Sequence, residues 1–206
     1  MRSEATYCTA GARRAFSLIE LLITTALILT MFVMTYGSRT KSRNLRQMQQ
    51  CSRNLQSVFV ALDIYANEHN GLFPIVTNAP NSEAALAVLV PKYTSITSAF
   101  ICPGSGDAEL PGAESFERRK ISYAYYMGRR RADAAEPLMT DEQVDVSAKA
   151  SGRPLFSQDG KGPGNNHKGK GGGNVLNVDG RVQTVGTTAP QPLLLSDGVT
   201  LLNPRR

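Results

Sequence analysis

Proline is missing from the first 73 residues of this 206-residue chain, and glycine nearly so. All 11 prolines lie at or after Pro74, and only Gly11, Gly37 and Gly71 of the 18 glycines precede Leu72. Proline breaks a helix and glycine weakens one, so little in the front third interrupts helical structure. Charge is also scarce, at 19% of residues, and there is no tryptophan. With 41% hydrophobic residues the chain is too apolar to be disordered, and its composition is too mixed for a multi-span membrane protein. No Ser–His–Asp or Cys–His set stands at a recognisable spacing, so nothing points to catalysis. Eight glycines, by contrast, crowd the stretch from Gly160 to Gly180. The front has almost no helix breakers, the middle is mixed, and the back is rich in glycine. A uniform globular enzyme domain fits this pattern poorly.

The front contains one long apolar run, from Phe16 to Tyr36, interrupted by a single charge at Glu20. It matches the ~20 residues that a helix needs to cross a hydrocarbon layer. A secretory signal has a shorter apolar stretch and a small-residue cleavage site, whereas this run ends in Tyr36, Gly37, Ser38 and Arg39. A retained membrane anchor over 16–36 is the better reading. Beyond it, Leu45, Met48, Cys51, Leu55, Val58, Phe59, Leu62, Tyr65 and Ala66 recur in three- and four-residue steps, the stripe of an amphipathic helix. Asn70 and Gly71 supply a C-terminal cap and Pro74 forbids continuation. One helix over 16–70 is expected. The charges around the span leave its orientation open: Arg2, Arg13 and Arg14 precede it, while Arg39, Lys41, Arg43 and Arg46 follow it.

A carboxylate inside a spanning helix costs about 2.5–3.5 kcal/mol on insertion scales. The plain reading places Glu20 near the interface, helped by the helix N-terminus. Its surroundings suggest more. The run Arg13, Arg14, Ala15, Phe16, Ser17, Leu18, Ile19, Glu20, Leu21 resembles the leader junction of type IV pilins and type II secretion pseudopilins. The resemblance implies cleavage between Ala15 and Phe16 by a prepilin peptidase, N-methylation of Phe16, and an assembly role for Glu20. Ala15 stands where that family usually has glycine. The physical logic is a pair of charges: the new Phe16 amine of one subunit meets Glu20 of a neighbour, so neither is buried alone.

The same resemblance implies an α+β, pilin-like fold. Residues 1–15 are then a leader, 16–70 the long helix, and 71–206 a periplasmic head on a small antiparallel sheet. It places the protein in the inner membrane as a single-pass chain with a cytoplasmic N-terminus. Its implied partners are copies of itself or related subunits in a polymer, prepilin peptidase, an inner-membrane secretion platform and lipid. Loss of the leader removes Cys8, three arginines and Glu4, lowering the formal charge from +6 to +4. Cys51 and Cys102 remain outside the cytoplasm, where one disulfide can tie helix to head; two buried free thiols are the other arrangement open at this point.

Within the head, Asn81 to Val90 reads as a short capped helix ended by Pro91. Ser122 to Tyr126 has strand composition, and Pro154 to Ser157 is a weaker strand candidate. Asn174 to Val178 and Arg181 to Val185 flank Asp179-Gly180, the signal of a two-residue type I′ hairpin. His69 reads as a residue of the helix end. The segments around Tyr65 to Pro74, Phe100 to Pro103 and Ser122 to Tyr125 extend the resemblance. The back is similar to a processing-associated His-x9-Asp-Gly domain, although here eleven residues separate His167 from Asp179 and Gly180.

Other motifs have both an active and a plain reading. Gly164 to Lys170 nearly spells a phosphate-binding loop, but Gly171 stands where Ser or Thr should hold magnesium, so a glycine-rich loop is the reading kept. His167, Asp159 and Asp179 are candidate metal ligands, with Asn165 and Asn166 supplying further oxygens. Because secretion pseudopilins carry a calcium loop near the C-terminus, the resemblance makes calcium the ion, held by Asp159 and Asp179; a loop held by hydrogen bonds is the plainer reading, and no other cofactor is implied. Arg118, Arg119 and Lys120, with Arg129, Arg130 and Arg131, flank the tyrosine-rich strand. They read as a solvated rim rather than a nucleic-acid surface, and no nucleic-acid partner is expected. The resemblance implies a structural subunit assembled into the pseudopilus of a type II-like protein secretion system, with two alternatives, a surface type IV pilus subunit and a single-span anchor displaying a calcium- or ligand-binding head. The leading reading predicts that protein extracted from membranes begins at Phe16 with a methylated amine. N-terminal sequencing and intact mass check this, and a chain that keeps residues 1–15 would contradict it.

Overall fold

The computed structural model describes residues 17–112, 116, 118–142, 152, 154–156, 166–167, 172–186, 193 and 195–205, without the side chains of 37–42. The expected leader with Ala15 and Phe16, the candidate ligand Asp159, and most of the glycine-rich 160–171 stretch lie outside the described residues. The chain forms two compact units, Met1–Ser42 and Arg43–Arg206. Helix α1 (Leu18–Glu68, 51 residues) contributes to both. Its C-terminus forms as the sequence suggests: Asn70 takes the left-handed conformation (φ 54°), and the Gly71 N–H returns to the Ala66 carbonyl at 2.8 Å, a Schellman closure. His69 stacks on Tyr65, with its Nδ1 2.8 Å from the Tyr65 carbonyl.

In the second unit, α1 buries Cys51, Leu55, Val58, Ala61, Leu62 and Ala66. All but Ala61 belong to the expected stripe, of which Met48, Phe59 and Tyr65 are half-buried and Leu45, its first member, is 58% exposed. Helix α2 (Ser82–Leu86) starts at Asn81, whose side chain accepts the Ala84 N–H at 3.0 Å. It tightens into a 3₁₀ turn at Ala87–Leu89. Val90 is extended, as the residue before a proline should be.

Among the described residues five strands form one antiparallel sheet in the order β4-β3-β2-β1-β5. They are β1 (Tyr123–Met127), β2 (Pro137–Asp141), β3 (Gly172–Asn177), β4 (Val182–Gly186) and β5 (Thr200–Leu202). A helix with a small antiparallel sheet is an α+β arrangement, the expected class. Strand alternation divides β1 between two cores. Tyr123 and Tyr125 join the α1 stripe, Phe73, Phe100 and Met139, while Ala124 and Tyr126 face Leu155, Phe156, Val175, Leu193 and Leu201. Both sheet faces are therefore covered.

Three local expectations need correction. Pro154 makes only an isolated bridge and Leu155 and Phe156 are bends, so the described part of 154–157 is not a strand; proline has no N–H to give a ladder. β3 begins at Gly172, inside what the composition suggested was loop. The Asp179-Gly180 hairpin exists but is not a two-residue type I′ turn. Of the pair only Gly180 has positive φ (84°), the Gly180 N–H bonds the Asn177 carbonyl, and the Asn177 N–H bonds the Arg181 carbonyl. This is the pattern of a three-residue loop closed by a glycine bulge. Its cause is local: the N–H groups of Val178 and Asp179 donate to the carbonyls of Glu136 and Ala134 at 2.9 and 3.0 Å, pinning the loop to its neighbour.

Burial raises the phenol pKa of Tyr123, Tyr125 and Tyr126 above the ordinary 10.0, and near Tyr123 the Asp141 carboxylate adds to the effect. The unfolded chain releases these protons near pH 10 while the folded one keeps them, so the stability is intact below that pH and falls as pH rises above it. An absorbance titration is predicted to leave these three of the seven tyrosines silent until the head unfolds. All seven titrating with the fold intact would contradict this.

Candidate functional site

The first unit presents an apolar surface. Leu18–Tyr36, 19 residues near the N-terminus, is long and apolar enough to cross a membrane, and none of it is buried by the chain. Its threonines suit such a setting: the hydroxyls of Thr24, Thr25, Thr30 and Thr35 donate to carbonyls three or four residues earlier, at 2.9–3.0 Å. Glu20 lies in the first turn, where its N–H and that of Leu21 both donate to the Ser17 carbonyl at 3.0 and 3.1 Å. Its exposed carboxylate has no partner among the described residues. Every other hydrogen-bonding side chain from Thr24 to Thr35 is satisfied within the helix.

The second unit contains a buried polar centre. From α1, Gln47, Cys51 and Asn54 project from one face toward the 101–103 segment. Gln47 donates to the Pro103 carbonyl at 3.1 Å, Asn54 to the Ile101 carbonyl at 2.7 Å, and Cys51 is disulfide-bonded to Cys102 with Cα atoms 5.1 Å apart. The bond closes a 51-residue separation, which is worth about 4 kcal/mol in chain entropy. His167 Nε2 lies 3.6 Å from Cys102 Sγ and 3.4 Å from Asp141 Oδ2. Asp141, fully buried at the end of β2, accepts from the Asn174 N–H (2.6 Å), Asn174 Nδ2 (3.3 Å) and Asn166 Nδ2 (3.0 Å). Asn174 Nδ2 also reaches the Met48 carbonyl of α1 at 3.1 Å. Ligand-capable atoms of Cys51, Cys102, Asp141 and His167 all lie within 4.8 Å of one another, and all four residues are buried.

Two glycines make room for this centre. A Cβ on Gly104 would stand 2.7 Å from His167 Nδ1, and one on Gly173 would stand 2.9 Å from Asp141 Oδ2 and from the Phe156 ring. Asn166, expected as an oxygen donor to a metal, instead donates its Nδ2 to Asp141, and its expected companion Asn165 lies outside the described residues. Two residues that the sequence did not mark, Asp141 and Asn174, complete the centre. Asp141 ends a strand that lacks strong strand composition, and Asn166 and Asn174 sit in glycine-rich surroundings. The available signal was an acidic residue closing an otherwise uncharged Pro137-to-Thr140 run. Glu83 was missed in the same way. Fully buried, it accepts the N–H groups of Ile121 and Arg205 at 2.9 and 3.0 Å and so anchors the chain end.

The signature residues separate. His167 joins the cysteines and Asp141, whereas Asp179 stays at the hairpin, where Oδ1 accepts the Arg181 N–H and Oδ2 pairs with Arg181 Nε at 3.1 Å. Asp179 is thus engaged in its own turn, and Asp159 is outside the described residues. Gly180 has a packing role: a Cβ there would lie 2.6 Å from the Phe59 ring of α1. Of the basic clusters, Arg118, Arg119, Arg130 and Arg131 are exposed, as a solvated rim would be, and Arg129 is the exception to that expectation. Arg129 is 2% exposed and donates to Pro137, Ser196 and Glu136; Arg131 pairs with Asp63; Lys120 pairs with Glu142 and Asp107.

Compared with family models, curated proteins and solved structures, the chain gives no match.

Gly180→Ala adds both left-handed strain, of order 1–3 kcal/mol, and overlap with Phe59. Equilibrium unfolding is predicted to show a loss of about 2–4 kcal/mol. Relief of part of that loss by Phe59→Ala in the same chain would identify the steric share. Wild-type stability in the single variant would contradict the packing role.

Proposed function

We propose that this protein is a pilin-like subunit, cut by a prepilin peptidase between Ala15 and Phe16, N-methylated at Phe16, and polymerised into the pseudopilus of a type II-like secretion system. One observation carries the reading: an apolar helical surface that the described residues leave uncovered, bearing at Glu20 a carboxylate without a partner among them. Lipid covers such a surface before assembly and neighbouring helices cover it afterwards, so the same residues serve as anchor and as interface. Small polar residues do not obstruct that exchange, because the threonine hydroxyls are bonded within the helix.

In this reading the cut at Phe16 creates a cationic amine. Glu20 of one subunit pairs with the Phe16 amine of the next. A subunit docked out of register leaves both charges buried and unpaired, at a cost of about 3–5 kcal/mol. The pair therefore sets register, while apolar packing supplies the adhesion. The head is held to the far part of α1 by the Cys51–Cys102 bond and is carried outward with each added subunit. The inner-membrane secretion platform and prepilin peptidase are the partners this role requires.

Glu20→Ala tests the pairing. The variant should insert, lose its leader and keep the buried tyrosines silent to alkali, yet fail to form polymer. Glu20→Asp, which keeps the charge on a shorter arm, should restore part of it. Polymer at the wild-type level from Glu20→Ala would sink the proposal.

A further inference from the structure

We propose that Cys51, Cys102, Asp141 and His167 form a redox-gated zinc site: a disulfide closes the joint between α1 and the head when the cysteines are oxidised, and a divalent zinc ion closes it when they are reduced. The inference stands on the geometry of the second unit and is independent of the assembly reading. In tetrahedral zinc sites, bonds of about 2.0–2.3 Å put ligand atoms roughly 3.3–3.8 Å apart. His167 Nε2 already lies 3.6 Å from Cys102 Sγ and 3.4 Å from Asp141 Oδ2. One nitrogen therefore faces both the sulfur and the oxygen, as a shared metal would require, and Cys51 Sγ falls within the same 4.8 Å cluster. The ligand set of two thiolates, one imidazole and one carboxylate is of a kind that zinc accepts.

The surroundings resemble an outer coordination shell. Asp141 is held by Asn174 through both its N–H (2.6 Å) and its Nδ2 (3.3 Å), and by Asn166 Nδ2 at 3.0 Å. Such hydrogen bonds orient a ligating carboxylate. Asn166 Nδ2 is itself fixed by the Ser122 carbonyl at 2.6 Å. Gly104 and Gly173 leave the space in which His167 and Asp141 reach the sulfurs. The cluster is buried, with Cys51 and Asp141 at 0%, Cys102 at 1% and His167 at 7% exposure. A metal there would be shielded from water, and its two positive charges would offset two of the three negative charges of the buried carboxylate and thiolates.

The chemistry balances with a dithiol as reductant. It gives two electrons and two protons to the Cys51–Cys102 bond and becomes a disulfide itself, leaving two thiols. Zinc then forms two Zn–S bonds as the thiols release two protons, and takes lone pairs of His167 Nε2 and Asp141 Oδ2 as its other two ligands. The loop closed by the disulfide is closed again by the metal, so the joint survives reduction.

The test uses the full chain in detergent with Cys8→Ser, which removes the remaining thiol. After reduction by a dithiol and its anaerobic removal, Co²⁺ is titrated as the spectroscopic probe. The site predicts one Co²⁺ per chain with a sulfur-to-cobalt charge-transfer band and tetrahedral ligand-field absorption, both abolished by one equivalent of Zn²⁺. The oxidised chain should show neither. His167→Ala and Asp141→Asn should each weaken binding by more than the about 10–100-fold that outer-shell partners cost. Absence of the thiolate band in the reduced chain would overturn the site, as would wild-type affinity in His167→Ala. A tertiary circular-dichroism signal that is lost on reduction and not restored by Zn²⁺ would overturn it equally.

Discussion

Nineteen consecutive residues that the chain does not cover impose the constraint on which the rest depends. Burying an apolar side chain is worth about 1.5–3 kcal/mol, and Leu18–Tyr36 exposes more than a dozen. In the proposed reading lipid or other helices supply the cover, and every polar group along the run then has to be satisfied within the helix or by a partner. Four threonines meet that demand through their own backbone. Glu20 in the first turn and Tyr36 at the far end have no side-chain hydrogen bond among the described residues, and the proposed assembly mechanism follows from Glu20, the one charge in the run.

The Arg43–Arg206 unit meets a different demand: it must attach a small sheet to a helix of which it can bury only one stripe. Apolar packing does part of this through Leu55, Val58 and Leu62. Directional bonds fix the rest. Gln47, Cys51 and Asn54 clamp the 101–103 segment, Met48 receives Asn174, and Phe59 rests against Gly180. The placement of these contacts along one helix face explains why a cysteine stands in the middle of an otherwise aliphatic stripe. The same placement brings Cys102 beside His167 and Asp141, so the covalent tie and the polar centre belong to one joint.

What could be read from the sequence divides along physical lines. Local rules gave α1, its Asn70-Gly71 end, the Asn81 cap and the hairpin, because period, caps and turn residues act over a few positions. Tertiary pairing was less legible. β2 and β5 are short and lack strong strand composition; they exist because β1 has edges to fill. The Asp179-Gly180 turn was placed correctly but its type was not, since bonds from the 134–136 segment decide it. The buried centre was half visible. Two cysteines, His167 and Asn166 stood out as residue types, whereas Asp141 and Asn174 become part of a site only when strands from distant positions are laid side by side. The apolar surface was the most legible feature of all, since its run and its lone carboxylate need no partner to be seen.

The proposed ion pair between the Phe16 amine of one subunit and Glu20 of another can be measured by zero-length carbodiimide coupling in polymer assembled from a mixture of ¹⁴N and ¹⁵N chains, followed by mass spectrometry of the peptides. The expected product is an amide joining the Phe16 N-terminal peptide of one isotope to the Glu20 peptide of the other. Polymer that yields no such mixed-isotope amide, or only same-chain linkage, would contradict it.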